Sequence, residues 1–166
     1  SNRASVDDAF ATIADIEGRL DGGLNCAGIS NPGPTSEMED EAWVRLVDIH
    51  LSGTMRACRA AFPLMKLGGG GSIINMSSVA TRLGMPKRAS YNASKAGIDG
   101  LTRSLAVEWV GDNIRVNSVA PGYVRTAFTD HLITQGQLNV APIVARTPMA
   151  RFAEPEEIAA SIAFLA

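Results

Sequence analysis

Apolar positions along the chain switch repeatedly between helical and strand-like spacing. In SVDDAFATIADIEGRL, Val6, Phe10, Ile13 and Leu20 form one apolar stripe, and Ser5 with Asp8 predicts a capping box at its start. A short strand follows around GLNCAG, then a Pro/Gly/Ser loop, ISNPGPTS. Ser36 and Glu39 predict a second capping box, opening a helical region that runs with one break to about Leu67. Gly68 to Gly71 end that helix, and GSIINMS reads as a buried, isoleucine-rich strand. From about Ser90 to Val110 the spacing is helical again, with Ile98, Leu101, Leu105 and Trp109 turned to a core. Its small residues Ala93, Ala96, Gly97 and Gly100 leave room for another backbone. NIRVNSVAP is a further strand, ended by Pro121 and Gly122. A long irregular stretch then leads to EPEEIAASIAFLA, a helix with Pro155 in its first turn.

Strands separated by helices imply an α/β fold, a parallel sheet with helices on both faces joined by right-handed crossovers. No repeat, low-complexity tract or linker interrupts it, so residues 1–166 are expected to form a single domain. Ligands of such sheets lie at the carboxyl ends of the strands. Three predicted strand ends carry polar or turn-forming residues: Asn25-Cys26-Ala27-Gly28, Ser77-Ser78 and Pro121-Gly122. All three are expected along one edge.

Composition narrows the function. Hydrophobic residues make up 46% and charged residues 19%, an ordinary globular balance. A net charge of −2 gives no electrostatic footprint for nucleic acid, and no apolar run approaches the length of a membrane span. The opening SNRASVDDAF lacks the basic and apolar regions of a secretory signal, and Cys26 and Cys58 are too few for a disulfide framework. A reducing cytoplasm is therefore expected. His131 has no partner at metal-ligand spacing and there is no Cys/His cluster, so the expected site is metal-free.

Candidate chemistry concentrates between Ser77 and Lys95. Tyr91 and Lys95 have the i, i+4 spacing that places two side chains on one helix face, and Ser78 ends the strand before them. A phenol with a pKa of about 10 is a poor base at neutral pH. An ammonium about 5 Å away, at an effective dielectric near 20, stabilises a phenolate by ~3 kcal/mol. Such a pair can give and take a proton at a carbonyl or alcohol oxygen, with a serine hydroxyl polarising that oxygen. A Ser-His-Asp hydrolase built on Ser78 is disfavoured because the chain has no GxSxG elbow.

These motifs, in this order, resemble those of the short-chain dehydrogenase/reductase family. The matching residues are NCAG at Asn25–Gly28, Ser78 with Tyr91-Asn92-Ala93-Ser94-Lys95, the run from Asn117 to Thr126, and the approach and helix RFAEPEEIAASIAFLA. The resemblance implies a Rossmann-like doubly wound parallel sheet and a nicotinamide cofactor, NAD or NADP. It also implies hydride transfer to or from a small-molecule secondary alcohol or ketone, in a homotetramer or homodimer. By resemblance, Ser78, Tyr91 and Lys95 are catalytic. Asn25, Ala27 and Gly28 lie near the adenine ribose, Tyr91 and Lys95 near the nicotinamide ribose, and Pro121, Gly122, Val124 and Thr126 near the nicotinamide. The stretch from Phe128 to Arg151 would form a lid over the substrate, with Ile133, Leu138, Val140 and Ile143 giving it a partly apolar lining.

Two departures stand out. The family's TGxxxGxG phosphate motif is absent, and Gly68–Gly71 cannot replace it, because they follow a helix and precede a strand. The family's opening strands and final strand are missing as well, so the chain is expected to be part of a longer polypeptide. In DIHLSGT, His50 stands where the family carries the asparagine of its catalytic tetrad, and the resemblance implies a catalytic place for it, holding a water that relays protons between Lys95 and solvent. A non-catalytic dinucleotide-binding or scaffold protein on the same fold is the alternative reading, to which His50 lends some room.

Overall fold

The computed structural model describes residues 3–136 and 138–166. The chain forms two compact units, Ser1–Ala120 with Leu165–Ala166, and Pro121–Phe164. In the first, α1 (Arg3–Glu17), β1 (Gly22–Asn25), α2 (Asp40–Val47), α3 (Gly53–Leu67), β2 (Gly71–Met76), α4 (Ala89–Glu108) and β3 (Ile114–Val119) follow one another. The strands form a parallel sheet in the order β1-β2-β3, a Rossmann-like arrangement. In its register Asn25 lies beside Asn75, and Asn75 beside Ser118. The strands therefore end together, and the segments after Asn25, Met76 and Val119 leave from one edge.

One face of the sheet is closed by helices. Ile73, Ile114 and Val116 pack with Cys58, Ala61 and Met65 of α3 and with Trp109, while Phe10, Phe62 and Leu105 flank them. Each fully buried side chain of this size contributes roughly 1.5–3 kcal/mol. The Phe62 and Trp109 rings meet at 4.9 Å. Alternation along β2 turns Ser72 to the other face, where its hydroxyl donates to the Leu165 carbonyl at 2.8 Å. Arg115 holds the carbonyls of Leu165 and Ala166 at 2.7 and 2.8 Å.

Three local expectations are corrected. Helix α1 extends from Arg3, so Ser5 lies inside it and does not cap it. Ser36 sits in a 3-10 turn, Thr35–Glu37, set up by Pro34, and Glu39 occupies the N-cap of α2 without a side-chain cap bond. Asp40 and Glu41 in the first turn of α2 complement its dipole instead. The break before Leu67 is a π-helical turn, Asp48–Ser52, that joins α2 to α3 without leaving the right-handed helical region. The glycine run does stop α3. Gly69 and Gly70 take φ of +87° and +133°, and the Gly70 N–H donates to the Met65 carbonyl at 2.9 Å.

The second unit holds α5 (Ala127–Thr134), α6 (Val140–Ala145) and all but the last residue of α7 (Pro155–Leu165), so the stretch expected to be irregular contains two short helices. Thr126 and Thr129 cap α5 reciprocally. That box reads T-x-x-T in the sequence and lacks the usual acidic partner. Val124 bridges to Ala153, and the Tyr123 and Phe152 rings stack at 5.4 Å. A cavity of about 460 Å³ within this unit is lined by Ile133, Val140, Val144 and Phe152, with Arg125 and Arg151 at its polar side. Both arginines already face carboxylates, Asp130 and Glu157.

Candidate active site

Helix α4 brings Tyr91 and Lys95 onto one face, one turn apart, as their spacing predicts. Lys95 is buried, and its ammonium donates to the carbonyl of Met76, the last residue of β2, at 2.6 Å. Its Nζ lies 5.7 Å from the centre of the Tyr91 ring. Burial lowers the pKa of Lys95 from the ordinary lysine value, while Cys26 and Asp99 act against that shift. The Tyr91 hydroxyl has no hydrogen-bond partner among the described residues.

Ser78 lies two residues beyond the end of β2. It is buried, and its hydroxyl oxygen accepts from the Ala80 N–H at 3.1 Å, capping the 3-10 turn Val79–Thr81. Its neighbour Ser77 has a buried hydroxyl with no partner. His50 comes from the π-helical turn and is 2% exposed. Its Nε2 lies 2.9 Å from the Ile29 nitrogen and 2.8 Å from the Ile29 carbonyl oxygen, and its Nδ1 has no partner. The imidazole meets the Tyr91 ring edge-on, 5.6 Å between centres at 87°. Burial lowers the pKa of His50, opposed by the Ile29 backbone and reinforced by the Lys95 charge.

Ser78, Tyr91, Lys95 and His50 thus all belong to the first unit, at the strand-end edge. A family model described as enoyl-(acyl carrier protein) reductase matches residues 1–166. The chain belongs to the short-chain dehydrogenase/reductase family. It is 37% identical to the 3-oxoacyl-(acyl-carrier-protein) reductase of Synechocystis sp. over 166 residues, 100% of this chain and 65% of that protein. It therefore spans just under two thirds of that relative's length. The crystal structure of gox2181 superposes with a TM-score of 0.93 at 37% identity, covering 99% of this chain and 65% of that one. ElxO with NADP bound gives a TM-score of 0.93 at 29% identity, covering 99% and 67%. Among the described residues no helix is long and apolar enough to cross a membrane.

In this short-chain dehydrogenase/reductase, the expected cofactor-binding residues are placed less uniformly than the catalytic ones. Ala27 and Gly28 are exposed on the loop after β1. The Asn25 amide is engaged inside the sheet, donating to Asn75 Oδ1 at 2.9 Å and to Cys58 Sγ at 3.3 Å. Pro121, Gly122, Val124 and Thr126 belong to the second unit, where the Thr126 hydroxyl is occupied in capping α5.

The sequence did not single out Asn75, which is fully buried and donates to Thr102 Oγ1 at 3.0 Å while accepting from Asn25. This network ties the NCAG strand end to α4, the helix of Tyr91 and Lys95. Its only sequence signal is an asparagine inside an isoleucine strand, where an apolar residue is expected. Ile29 was also missed, because it contributes through its backbone alone.

Proposed function

We propose that the polypeptide carrying this chain is an NAD(P)-dependent oxidoreductase that moves hydride between a nicotinamide cofactor and a secondary alcohol or ketone. The observation that carries this reading is the buried ammonium of Lys95 one helical turn from Tyr91, held at the carbonyl of Met76, two residues before Ser78. Tyr91 passes its hydroxyl proton to the ketone oxygen or takes it back from the alcohol. The Lys95 charge favours the phenolate that remains, and Ser78 turns its O–H toward the substrate oxygen.

The donor set of Lys95 fits a cofactor. Of its three N–H donors, Met76 takes one, and the other two suit the hydroxyls of a ribose. The nicotinamide, once bound, supplies or accepts the hydride. The exposed backbone of Ala27 and Gly28, after Asn25, lies beside the adenosine portion in this reading, and Pro121, Gly122, Val124 and Thr126 serve the nicotinamide. NADP is supported by the NADP-bound neighbour ElxO, and NAD by the wider family resemblance. A cytoplasmic homodimer or homotetramer is the proposed setting.

The test is oxidation of NADH and NADPH by the whole polypeptide against a panel of secondary ketones. Tyr91→Phe should keep the fold and lower turnover at least about a hundredfold. If it retains more than about a tenth of wild-type turnover, the proton-transfer role is wrong.

A further inference from the structure

Two adjacent residues of the π-helical turn each occupy space that a glycine leaves open. A Cβ at Gly28 would lie 2.5 Å from His50 Cε1 and 3.2 Å from each ring nitrogen. A Cβ at Gly97 would lie 2.7 Å from Leu51 Cδ2. Gly28 belongs to the loop after β1, and Gly97 to α4, two residues beyond Lys95. The turn is thus fitted between the strand-end loop and the helix that carries Tyr91 and Lys95.

The His50 ring is fixed on several sides. Its Cε1 edge fills the space where a Cβ at position 28 would stand, Ile29 holds Nε2, and the Tyr91 ring meets it edge-on. The Thr54 hydroxyl donates to the His50 carbonyl at 2.7 Å and steadies the turn itself. A single ring nitrogen cannot donate to the Ile29 carbonyl and accept from the Ile29 N–H at once. With the proton on Nε2, the imidazole donates to the Ile29 carbonyl and leaves the Ile29 N–H and the buried Nδ1 acceptor unpaired. With it on Nδ1, Nε2 accepts from the Ile29 N–H, and the Nδ1–H and the carbonyl go unpaired. Either tautomer keeps Nε2 anchored at Ile29. His50 makes no hydrogen bond to Lys95 or to the Tyr91 hydroxyl, so it acts through the Tyr91 ring.

We propose that the π-helical turn is a positioning wedge for the catalytic helix, and that His50 and Gly28 are a matched pair that sets the plane of the Tyr91 ring. His50 is then a positioning residue in a place where a proton-relaying role is the obvious assignment. The proposal rests on Tyr91 as the proton donor. Ordinary contact begins at 3.4 Å, so a methyl at position 28 forces the imidazole to retreat by nearly an ångström. Displacements of that size in a reacting group cost up to about a hundredfold in rate.

The experiment is a double-mutant cycle of Gly28→Ala and His50→Ala in the whole polypeptide, read by urea stability and by kcat and KM separately. Gly28→Ala alone should lower kcat about tenfold or more and leave the ketone KM within about twofold. In the His50→Ala background the same methyl should cost less than about twofold in kcat and almost nothing in stability. Equal destabilisation by Gly28→Ala in both backgrounds overturns the pairing. Coupled stability with an unchanged kcat in Gly28→Ala overturns the positioning role. If Gly28→Ala alone does not fold, recovery of folded protein in the double variant is the expected coupling, and failure to recover overturns it. A wild type without turnover would defeat the oxidoreductase reading, while the stability cycle would still decide the pair.

Discussion

At the scale of single residues, burial decides what each titratable group can do. His50 takes up a proton near pH 6.5 when unfolded, and burial holds it neutral to lower pH in the fold. Its stabilising contribution is complete above about pH 6.5 and is lost as pH falls through the folded value. The urea midpoint of the wild type should therefore fall more steeply below that pH than the midpoint of His50→Asn; parallel curves would contradict it. Cys58 is held the other way. Burial pushes its thiol up to about 11, against the hydrogen bond it donates to Asn75 and the one it accepts from Asn25. A thiol reagent at neutral pH should label the exposed Cys26 in the native protein and Cys58 only after unfolding. Equal native labelling of both would show that the sheet-helix interface opens freely. Lys95→Ala should lower turnover and also weaken cofactor binding, since the proposed ribose contact goes with the charge. Unchanged cofactor affinity in that variant would argue against the contact. The placement of Tyr91 and Lys95 on one face, after the strand that leads to Ser78, was legible because it is a local property of a helix and a strand end. The orientation of Asn25 was not, because it depends on Asn75, fifty residues away and adjacent only through the sheet register.

At the scale of elements, the alternation of helix and strand was readable from apolar spacing, and so was the stop at Gly68–Gly71. What the sequence concealed was how elements begin and how they are joined. Ser5 and Ser36 carry good capping chemistry, yet α1 already includes the first and a proline-led 3-10 turn holds the second. The π-helical turn looks like a plain interruption in the sequence, because the residues that justify it, Gly28 and Gly97, are distant along the chain. The Asn75 network makes the same point energetically. Asn75→Ala removes the acceptor for Asn25 and the donor to Thr102, leaving the buried Thr102 hydroxyl without a partner and the Asn25 amide with Cys58 Sγ alone. Each such loss costs about 1–3 kcal/mol, so the variant should lose roughly 2–4 kcal/mol in urea unfolding. Asn25→Ala should lose less, because Asn75 keeps Thr102. A larger loss from Asn25→Ala would mean that the strand end, and not β2, anchors the network.

At the scale of the whole molecule, the first unit leaves apolar side chains uncovered. Val44 is 61% exposed on α2, Val107 77% on α4 and Val110 70% just beyond it, while Ala93 and Ala96 give α4 an outer face of small residues. Isolated apolar residues on a surface need no explanation, but several along helices that also carry small residues leave faces that other helices could approach closely. A second copy of the same chain would cover them symmetrically, since the same patch meets itself across a two-fold axis. The proposed homodimer or homotetramer makes this measurable. The whole polypeptide should elute well above monomer mass in size-exclusion chromatography with light scattering. Val107→Arg together with Val44→Arg should lower that mass and leave the circular dichroism spectrum unchanged, because neither side chain belongs to the core. A wild type that runs as a monomer at micromolar concentration would refute the assembly. An oligomer unmoved by the double variant would place its interface away from these valines.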